Sequence, residues 1–329
     1  MTDTAGEFVV VGAGSIGRRH LRNLVALGVS GLAVVEPDAG RRQQACAEVG
    51  ARAIADLESA LAMRPTAVLV CTPPNTHVAV ARAALGVGAH VFIEKPIAST
   101  RDAALEALVM EAQRTSRLLV GYNLRFHAGL RRVRDLATSG AIGRLLTARA
   151  EFGQYLPDWR PGGDYRSGYI VRRDGGGILL DASHEVDYMR WICGEVTAVY
   201  AALGKLSLLE MEAEDTAVLV LRHHSGVLSE IHLDCVQRGY SRSCKLVGSE
   251  GTIEWNFRTG LRHTRDGSTW SEESIAPDAN EMYVEEMRHF LACVESRATP
   301  LVDGETALAV LAVLEAAKRS ANERREVAP

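Results

Sequence analysis

The stretch that decides the fold is Phe8-Val9-Val10-Val11, followed at once by Gly12-Ala13-Gly14-Ser15-Ile16-Gly17. An apolar run, a G-x-G-x-x-G turn and a helical pattern over 15–27 form the start of a βαβ unit. In such a unit the first glycine permits the tight turn, the second lets the backbone approach a pyrophosphate, and the third allows close helix packing. The N–H groups at the helix start attract phosphate charge. The stretch therefore predicts a dinucleotide site.

The pattern outside this turn indicates how the first domain continues. Four more short apolar runs alternate with helical patterns, at Leu32–Val35, Ala67–Val70, 90–93 and 118–120. Continuous apolar strands separated by helices are typical of a parallel sheet that is covered on both faces. We therefore expect an α/β fold whose residues 1–121 form a doubly wound Rossmann domain.

The pattern changes after this domain. Residues 197–257 contain β-rich runs such as 217–221 and 227–233, separated by the polar turn 224–226. This spacing predicts antiparallel hairpins. Helical patterns flank 139–140, and others carry Tyr283 to Val294 and 305–321. We expect residues 122–329 to form an α+β domain with a large open, mainly antiparallel sheet.

Composition excludes several classes of function. The chain has 329 residues, 47% hydrophobic and 24% charged, as in a soluble globular protein of two domains. A net charge of -4 argues against nucleic acid or a membrane as partner. Six cysteines without a C-x-x-C pair indicate reduced thiols, so neither a disulfide framework nor a metal site is expected. The N-terminus lacks a signal-peptide pattern, which predicts a cytoplasmic protein.

Glu36 closes the second apolar run, where a carboxylate would accept a hydrogen bond from a ribose 2′-OH. Its charge would repel a 2′-phosphate, which favours NAD over NADP. NADP remains an alternative cofactor, because a 2′-phosphate could recruit Arg18, Arg41 and Arg42. For Arg41 and Arg42, a position on a solvated helix face is the simpler explanation. The alternative for Glu36 is an exposed acidic residue, with Asp38 capping the next helix.

Two more loops follow strand ends, where ligands of open α/β sheets bind. One is Cys71-Thr72-Pro73-Pro74-Asn75-Thr76-His77, and the other is Glu94-Lys95-Pro96. A proline-stiffened turn with His77 opening a helix explains the first loop almost as well. The expected cofactor contacts are Gly12, Gly14, Ser15, Ile16, Gly17, Glu36, Cys71, Thr72, Pro73, Asn75, His77, Glu94, Lys95 and Asn123.

Five motifs in this order closely resemble the glucose–fructose oxidoreductase/inositol dehydrogenase family, Gfo/Idh/MocA. They are GAGSIG at 12–17, CTPPNTH at 71–77, IEKP at 93–96, GYNLRF at 121–126 and GGGILLDASHEVD at 175–187. The resemblance extends over nearly the whole chain. It implies a nicotinamide-dependent dehydrogenase for sugars or cyclitols, assembled as a homodimer or homotetramer on the open face of the second sheet.

The resemblance also implies catalytic roles. Lys95 matches the lysine of the E-K-P motif, His184 the catalytic histidine, and Asp181 the carboxylate before it. Chemistry favours the same roles, because alcohol oxidation needs a base for the proton and imidazole has a suitable pKa. A lysine ammonium would stabilise the developing alkoxide. Many family members place the histidine four residues after the aspartate, whereas here the interval is three, so Asp187 could orient the imidazole instead.

The segment 154–166 is rich in aromatic and ionic side chains, although aromatics make up only 5% of the chain. Stacking surfaces with fixed polar groups are typical of a sugar pocket. Arginines here and at 172 and 173 could bind a carboxylate or phosphate, which keeps a nucleotide sugar or sugar acid open. A surface lid or an oligomer contact is the alternative. The expected substrate contacts are Lys95, Tyr122, Arg125, Tyr155, Trp159, Arg160, Arg166, Asp181 and His184.

The sequence thus predicts hydride transfer between NAD(P) and a secondary alcohol or ketone of a sugar, sugar derivative or cyclitol. For Tyr122, Asn123 and Arg125 a place at the domain junction is almost as well supported. Two functions remain as alternatives. One is a glycosidase that oxidises and re-reduces its sugar with NAD, and the other is a regulator that only senses dinucleotides.

Overall fold

The first compact unit is built on a six-stranded parallel sheet. The computed structural model describes residues 6–115, 117–160, 162–173, 176–275 and 278–329, so Pro161 and Gly175 of the predicted motifs lie outside the described residues. The strands are β1 (Phe8–Val11), β2 (Leu32–Val35), β3 (Arg52–Ile54), β4 (Ala67–Val70), β5 (His90–Glu94) and β6 (Leu118–Gly121). Their order is β3-β2-β1-β4-β5-β6, which is the doubly wound Rossmann order.

Helices cover this sheet. They are α1 (Ser15–Ala26), α2 (Ala39–Val49), α3 (Leu57–Ala62), α4 (His77–Gly86) and α5 (Ala103–Thr115). The residues of β1, β2, β4 and β6 are all buried, which explains the continuous apolar runs and confirms the predicted parallel sheet. The sequence did not indicate β3, because this three-residue edge strand is mostly exposed and carries no apolar run.

The chain returns to the first unit near its end. Contacts group 280–308 with 1–123, and 309–329 with 124–279. Helix α9 (Glu281–Val294) therefore belongs to the first unit, and its Phe290 and Leu291 join the core of Phe8 and Phe92. The expected division at 121 placed all later residues in the second domain. An amphipathic pattern shows that a helix has a buried face, but not which surface it covers.

The second compact unit contains an eight-stranded sheet. Its strands are β7 (Leu145–Gly153), β8 (Val196–Gly204), β9 (Thr216–His223), β10 (Leu228–Asp234), β11 (Ser241–Gly248), β12 (Thr252–Asn256), β13 (Gly260–Thr264) and β14 (Ser271–Glu273). In the order β14-β13-β12-β11-β7-β10-β9-β8, neighbours are antiparallel except for β7 and β10. The expected mainly antiparallel sheet and its β9–β10 hairpin are confirmed.

Helices α6 (Ala128–Thr138), α7 (Ile178–Asp181) and α8 (His184–Cys193) belong to this second unit, and α10 (Gly304–Glu323) runs across the boundary between the units. The six cysteines are free thiols. Within the described ranges, no helix is both long and apolar enough to span a membrane.

Candidate active site

The glycine turn between β1 and α1 is packed too closely for side chains at two of its glycines. Gly12 has a φ of 98°, in the left-handed region. A Cβ on Gly12 would lie 2.6 Å from the carbonyl oxygen of Cys71, and a Cβ on Gly17 would collide with the carbonyl oxygen of Gly12. At Gly14, in contrast, a Cβ would meet nothing within 4 Å. The turn thus leaves open space beside the first N–H groups of α1, which fits a pyrophosphate.

Glu36 lies directly after β2 and faces this turn. Its Oε2 accepts a hydrogen bond from the Ala13 N–H at 2.9 Å, and its Oε1 accepts from the Asp38 N–H at 3.1 Å and Arg41 Nη2 at 2.8 Å. Burial acts to raise the pKa of Glu36, but these hydrogen bonds and the Arg41 charge lower it below its ordinary value. The side chain therefore stays an ionised acceptor beside the turn, which fits a ribose hydroxyl.

The arginines considered for a 2′-phosphate are engaged by other groups. Arg18 forms an ion pair with Glu48, and Arg41 with Glu36. Arg42 donates a hydrogen bond to the carbonyl oxygen of Glu36. Recruiting them to a phosphate would require these contacts to be given up, so the geometry favours NAD.

The loop after β4 is fastened by His77. Nδ1 of this buried ring contacts the Pro96 carbonyl oxygen at 2.9 Å, and Nε2 contacts the Thr72 carbonyl oxygen at 2.7 Å. Burial lowers the pKa of His77 below its ordinary value. Since both ring nitrogens contact backbone carbonyls, His77 ties the loop after β4 to the loop after β5. His77 therefore holds the two loops together, and its predicted contact with the cofactor stays a prediction.

Lys95 directly follows β5, at the carboxyl edge of the sheet that carries the glycine turn. The neighbouring Glu94 contacts His20 Nε2 through Oε1 at 2.6 Å, and its Oε2 accepts the Lys95 N–H at 3.2 Å. At the end of β6, Tyr122 and Asn123 are buried. The glycine turn after β1 and the ends of β4, β5 and β6 therefore lie along one edge of a single sheet, where a dinucleotide would bind.

In the second unit, a cavity of about 210 Å³ borders the last residue of α7. That residue is Asp181, whose Oδ1 accepts a hydrogen bond from the Tyr169 hydroxyl. Trp159, Arg160, Tyr165 and Tyr169 also line the cavity. The Trp159 indole is fixed by its Nε1–H donating to the Gln154 carbonyl oxygen at 2.9 Å. A carboxylate, a cation and aromatic rings thus surround a space suited to a small polar ligand.

Other predicted substrate residues do not line this cavity. The Tyr155 ring is covered by the Arg238 guanidinium, 3.5 Å from the ring centroid. Arg166 Nε donates to Asp164 at 2.8 Å, and Arg166 Nη1 lies 3.3 Å from Glu210. Tyr165 and Tyr169 were not among the predicted site residues. The signal available in the sequence was the position of Tyr165 within the aromatic segment 154–166, with Tyr169 four residues later.

Helix α8 begins at His184, which is buried to 8% exposure. Three residues on, both oxygens of Asp187 accept from Arg125, through Nε at 2.9 Å and Nη2 at 2.7 Å. Burial raises the pKa of Asp187 above its ordinary value, against the opposing effect of the Arg125 charge. Asp187 therefore pairs with Arg125 rather than orienting the His184 imidazole. Arg125, predicted to bind substrate, is itself buried in this ion pair.

A second buried ion pair lies beside His184. Glu185 is fully buried, and its Oε1 lies 2.9 Å from Arg242 Nε, whose guanidinium also covers the Phe152 ring at 4.3 Å. No pattern in the sequence indicated this pairing, because the two residues belong to separate elements. Within the described ranges, no group of three or more His, Cys, Asp or Glu side chains could hold a metal ion.

Together, a Rossmann sheet, a glycine turn open at the start of α1 and an ionised Glu36 define an NAD-binding oxidoreductase. Comparison with known families agrees with this class. Residues 7–122 match the oxidoreductase family with an NAD-binding Rossmann fold, and residues 130–254 match the GFO/IDH/MocA C-terminal domain. The chain belongs to the GFO/IDH/MocA family.

Individual relatives are similar over nearly their whole length. The chain is 30% identical to a myo-inositol 2-dehydrogenase of Thermotoga maritima, across 97% of each protein. Its structure resembles GenD2 from gentamicin A biosynthesis in complex with NAD, with a TM-score of 0.84, 25% identity and coverage of 98% and 96%. It also resembles the WlbA dehydrogenase of Bordetella pertussis in complex with NADH and UDP-GlcNAcA, with a TM-score of 0.83, 26% identity and 98% coverage of each chain.

Proposed function

We propose that this protein is an NAD-dependent dehydrogenase that oxidises a secondary alcohol of a cyclitol, sugar or sugar derivative, or reduces the corresponding ketone. The observation that carries the proposal is the position of Lys95. Lys95 directly follows β5, at the edge of the sheet that carries the glycine turn and Glu36, and this position supports a role for its ammonium group. The names of the relatives support the substrate class, since they include an inositol dehydrogenase and a dehydrogenase bound to a nucleotide sugar acid.

The proposed roles follow from the proton balance of the reaction. NAD, when bound, would supply the hydride acceptor, so the hydroxyl proton of the substrate must leave separately. His184 takes this proton as general base, because imidazole titrates near neutral pH. Lys95 stabilises the negative charge that develops on the substrate oxygen. Asp181, held by the Tyr169 hydroxyl, binds substrate from the wall of the 210 Å³ cavity.

A substrate panel tests this proposal. Purified protein is mixed with NAD or NADP and with inositols, free sugars, sugar acids and nucleotide sugars, and reduced nicotinamide is followed by absorbance. We expect one class to give a rise that is lost in Lys95→Met and His184→Ala. NAD binding without turnover of any compound would count against a dehydrogenase, and product formation without accumulation of reduced cofactor would indicate the glycosidase.

The same assay tests the role of Glu36. We expect Glu36→Ala to narrow the preference for NAD over NADP about tenfold in kcat/KM. The change removes an ionised acceptor for the ribose hydroxyl, whose hydrogen bonds are worth about 1.5–3 kcal/mol, and it releases Arg41 toward a 2′-phosphate. Glu48→Ala, which frees Arg18 instead, is the matched control. An unchanged preference in Glu36→Ala would refute this role.

An anionic substrate would be held by Arg160. We expect Arg160→Gln to raise KM about tenfold for sugar acids or nucleotide sugars, because a charge-assisted hydrogen bond from the cavity wall is lost. KM for neutral cyclitols should not change. Arg166→Gln is the matched control, since its guanidinium is already bonded to Asp164 and Glu210. Equal effects of Arg160→Gln on neutral and anionic compounds would exclude this role.

We further propose that the protein forms a homodimer or homotetramer through the open face of the eight-stranded sheet. Tyr200 on β8 lies opposite Val220 on β9, and both are exposed, at 48% and 43%. Val218 and Leu228 are exposed near them on β9 and β10. Contiguous apolar side chains on a sheet face favour association. A monomeric mass in light scattering would contradict this assembly.

A further inference from the structure

Helix α9 carries a carboxyl group in the interior of the first unit. Glu286 is fully buried, and among the described residues no group donates a hydrogen bond to either of its side-chain oxygens. An ionised carboxylate in such a place is costly, because nothing replaces the water that it loses. A buried polar group of this kind calls for an explanation in terms of its surroundings.

The neighbours of Glu286 on α9 define those surroundings. Tyr283 precedes it by three residues and Phe290 follows it by four, so the three side chains share one helix face. The Tyr283 ring lies 6.2 Å from the His20 ring, and the Phe290 ring lies 5.7 Å from the Phe92 ring. His20 and Phe92 are themselves in contact, at 5.0 Å. This face of α9 therefore packs against α1 and β5.

Titratable groups face Glu286 from the elements around it. Glu94 lies at the end of β5, Cys71 follows β4, and His20 lies on α1, where Arg19 also covers the Tyr283 ring at 4.3 Å. Burial and, after it, the Glu94 charge raise the pKa of Glu286 well above its ordinary value. Burial and the same two carboxyls raise the pKa of the Cys71 thiol. Burial and the Glu94 charge therefore both favour the protonated form of Glu286.

Protonation changes what Glu286 can do for Glu94. Two ionised carboxylates repel because both are negatively charged, and neither has a hydrogen to donate. A protonated carboxylic acid has an O–H group that can donate a hydrogen bond to a neighbouring carboxylate. Glu94 already contacts His20 through Oε1 and accepts the Lys95 N–H through Oε2. A donor from α9 would add a third restraint on the carboxylate that holds the Lys95 backbone.

We propose that Glu286 is a positioning residue for Lys95, which holds Glu94 in place by donating its acid proton to that carboxylate. In this arrangement Glu286 donates to Glu94, and Glu94 accepts from the Lys95 N–H. His20 on α1 contacts the same Glu94 carboxylate. This inference rests on the proposed function in one respect, the role of Lys95 in the reaction. The protonation of Glu286 does not depend on that role and can be tested alone.

The first experiment compares thermal unfolding of the wild type and Glu286→Gln by circular dichroism between pH 5 and pH 8. Glutamine is neutral at every pH and still donates a hydrogen bond. The raised pKa of Glu286 makes folding of the wild type take up a proton. Between the ordinary carboxyl pKa and the raised one, each pH unit therefore weakens the folding equilibrium about tenfold. We expect the melting temperature of Glu286→Gln relative to wild type to rise with pH.

Glu285→Gln is the matched control for this experiment. Glu285 is the preceding residue on α9 and forms an ion pair with Arg288 near the surface. Its melting temperature relative to wild type should stay constant over the same pH range. A pH-independent difference for Glu286→Gln as well would overturn the protonation of Glu286.

The second experiment tests positioning with the substrate found in the panel. Glu286→Met fills the same space without a donor, so we expect kcat to fall about tenfold or more with little change in KM, as for a displaced catalytic group. Glu286→Gln should restore kcat to within about threefold of the wild type, and Glu285→Gln should not change it. If Glu286→Met keeps the wild-type kcat, Glu286 does not position Lys95. An inactive wild type with a rising melting difference would instead count against the proposed function alone.

Discussion

Lys95→Met is expected to lower kcat about 10²–10³-fold while NAD binding stays within about threefold of the wild type. A group that stabilises charge on a reacting oxygen contributes about this factor, because it acts where charge develops in the transition state. Methionine keeps most of the packing of the lysine stem and removes only the ammonium. Steady-state kinetics by nicotinamide absorbance give kcat, and calorimetric titration with NAD gives the dissociation constant.

Lys205→Met is the control for this prediction, since Lys205 lies in the second unit and donates to the Ser207 carbonyl oxygen. It should keep the wild-type kcat. A Lys95→Met variant with kcat within about threefold of the wild type would show that the ammonium does not take part in the chemistry. Loss of NAD binding together with kcat would instead assign Lys95 to the cofactor site.

The fold of the first unit was readable from sequence where burial leaves a simple pattern. Strands β1, β2 and β4 are buried at every residue, so they stand out as apolar runs between helices. The edge strand β3 was missed because its residues are largely exposed. The return of α9 was missed for another reason. The apolar face of α9 is evident in the sequence, but the residues that it packs against lie more than 180 positions earlier, in the core around Phe8 and Phe92.

Local motifs predicted which strand ends hold the functional residues. They did not predict which side chains or backbone groups these residues contact. The glycine turn could be predicted from its sequence, because its close packing requires glycine. A Cβ at Gly12 or Gly17 would collide with backbone atoms. The partners of His77 and Asp187 could not be predicted in this way. His77 contacts a carbonyl 19 residues away, and Asp187 bonds to Arg125, 62 residues away. Such contacts depend on how elements pack, and one sequence does not record that packing.

The ion pair of Asp187 and Arg125 predicts the largest effect on stability. The exposed fractions of the two side chains are 1% and 6%. Asp187→Leu is expected to lower the unfolding free energy of the second unit by about 3–5 kcal/mol, because it leaves a buried guanidinium without a counter-charge. Urea unfolding followed by tryptophan fluorescence measures this unit selectively, since the four tryptophans, at 159, 191, 255 and 270, all belong to it.

A double variant separates the cost of the unpaired charge from the net value of the pair. Arg125→Met with Asp187→Leu removes both charges, and we expect it to recover most of the stability that either single change loses. Glu230→Ala, which breaks the exposed pair with Arg149, should cost no more than about 1 kcal/mol. If the double variant is as unstable as the sum of the single variants, the two charges do not interact, and the cost of each substitution lies in packing. Recovery would instead mean that Asp187 serves mainly to neutralise Arg125.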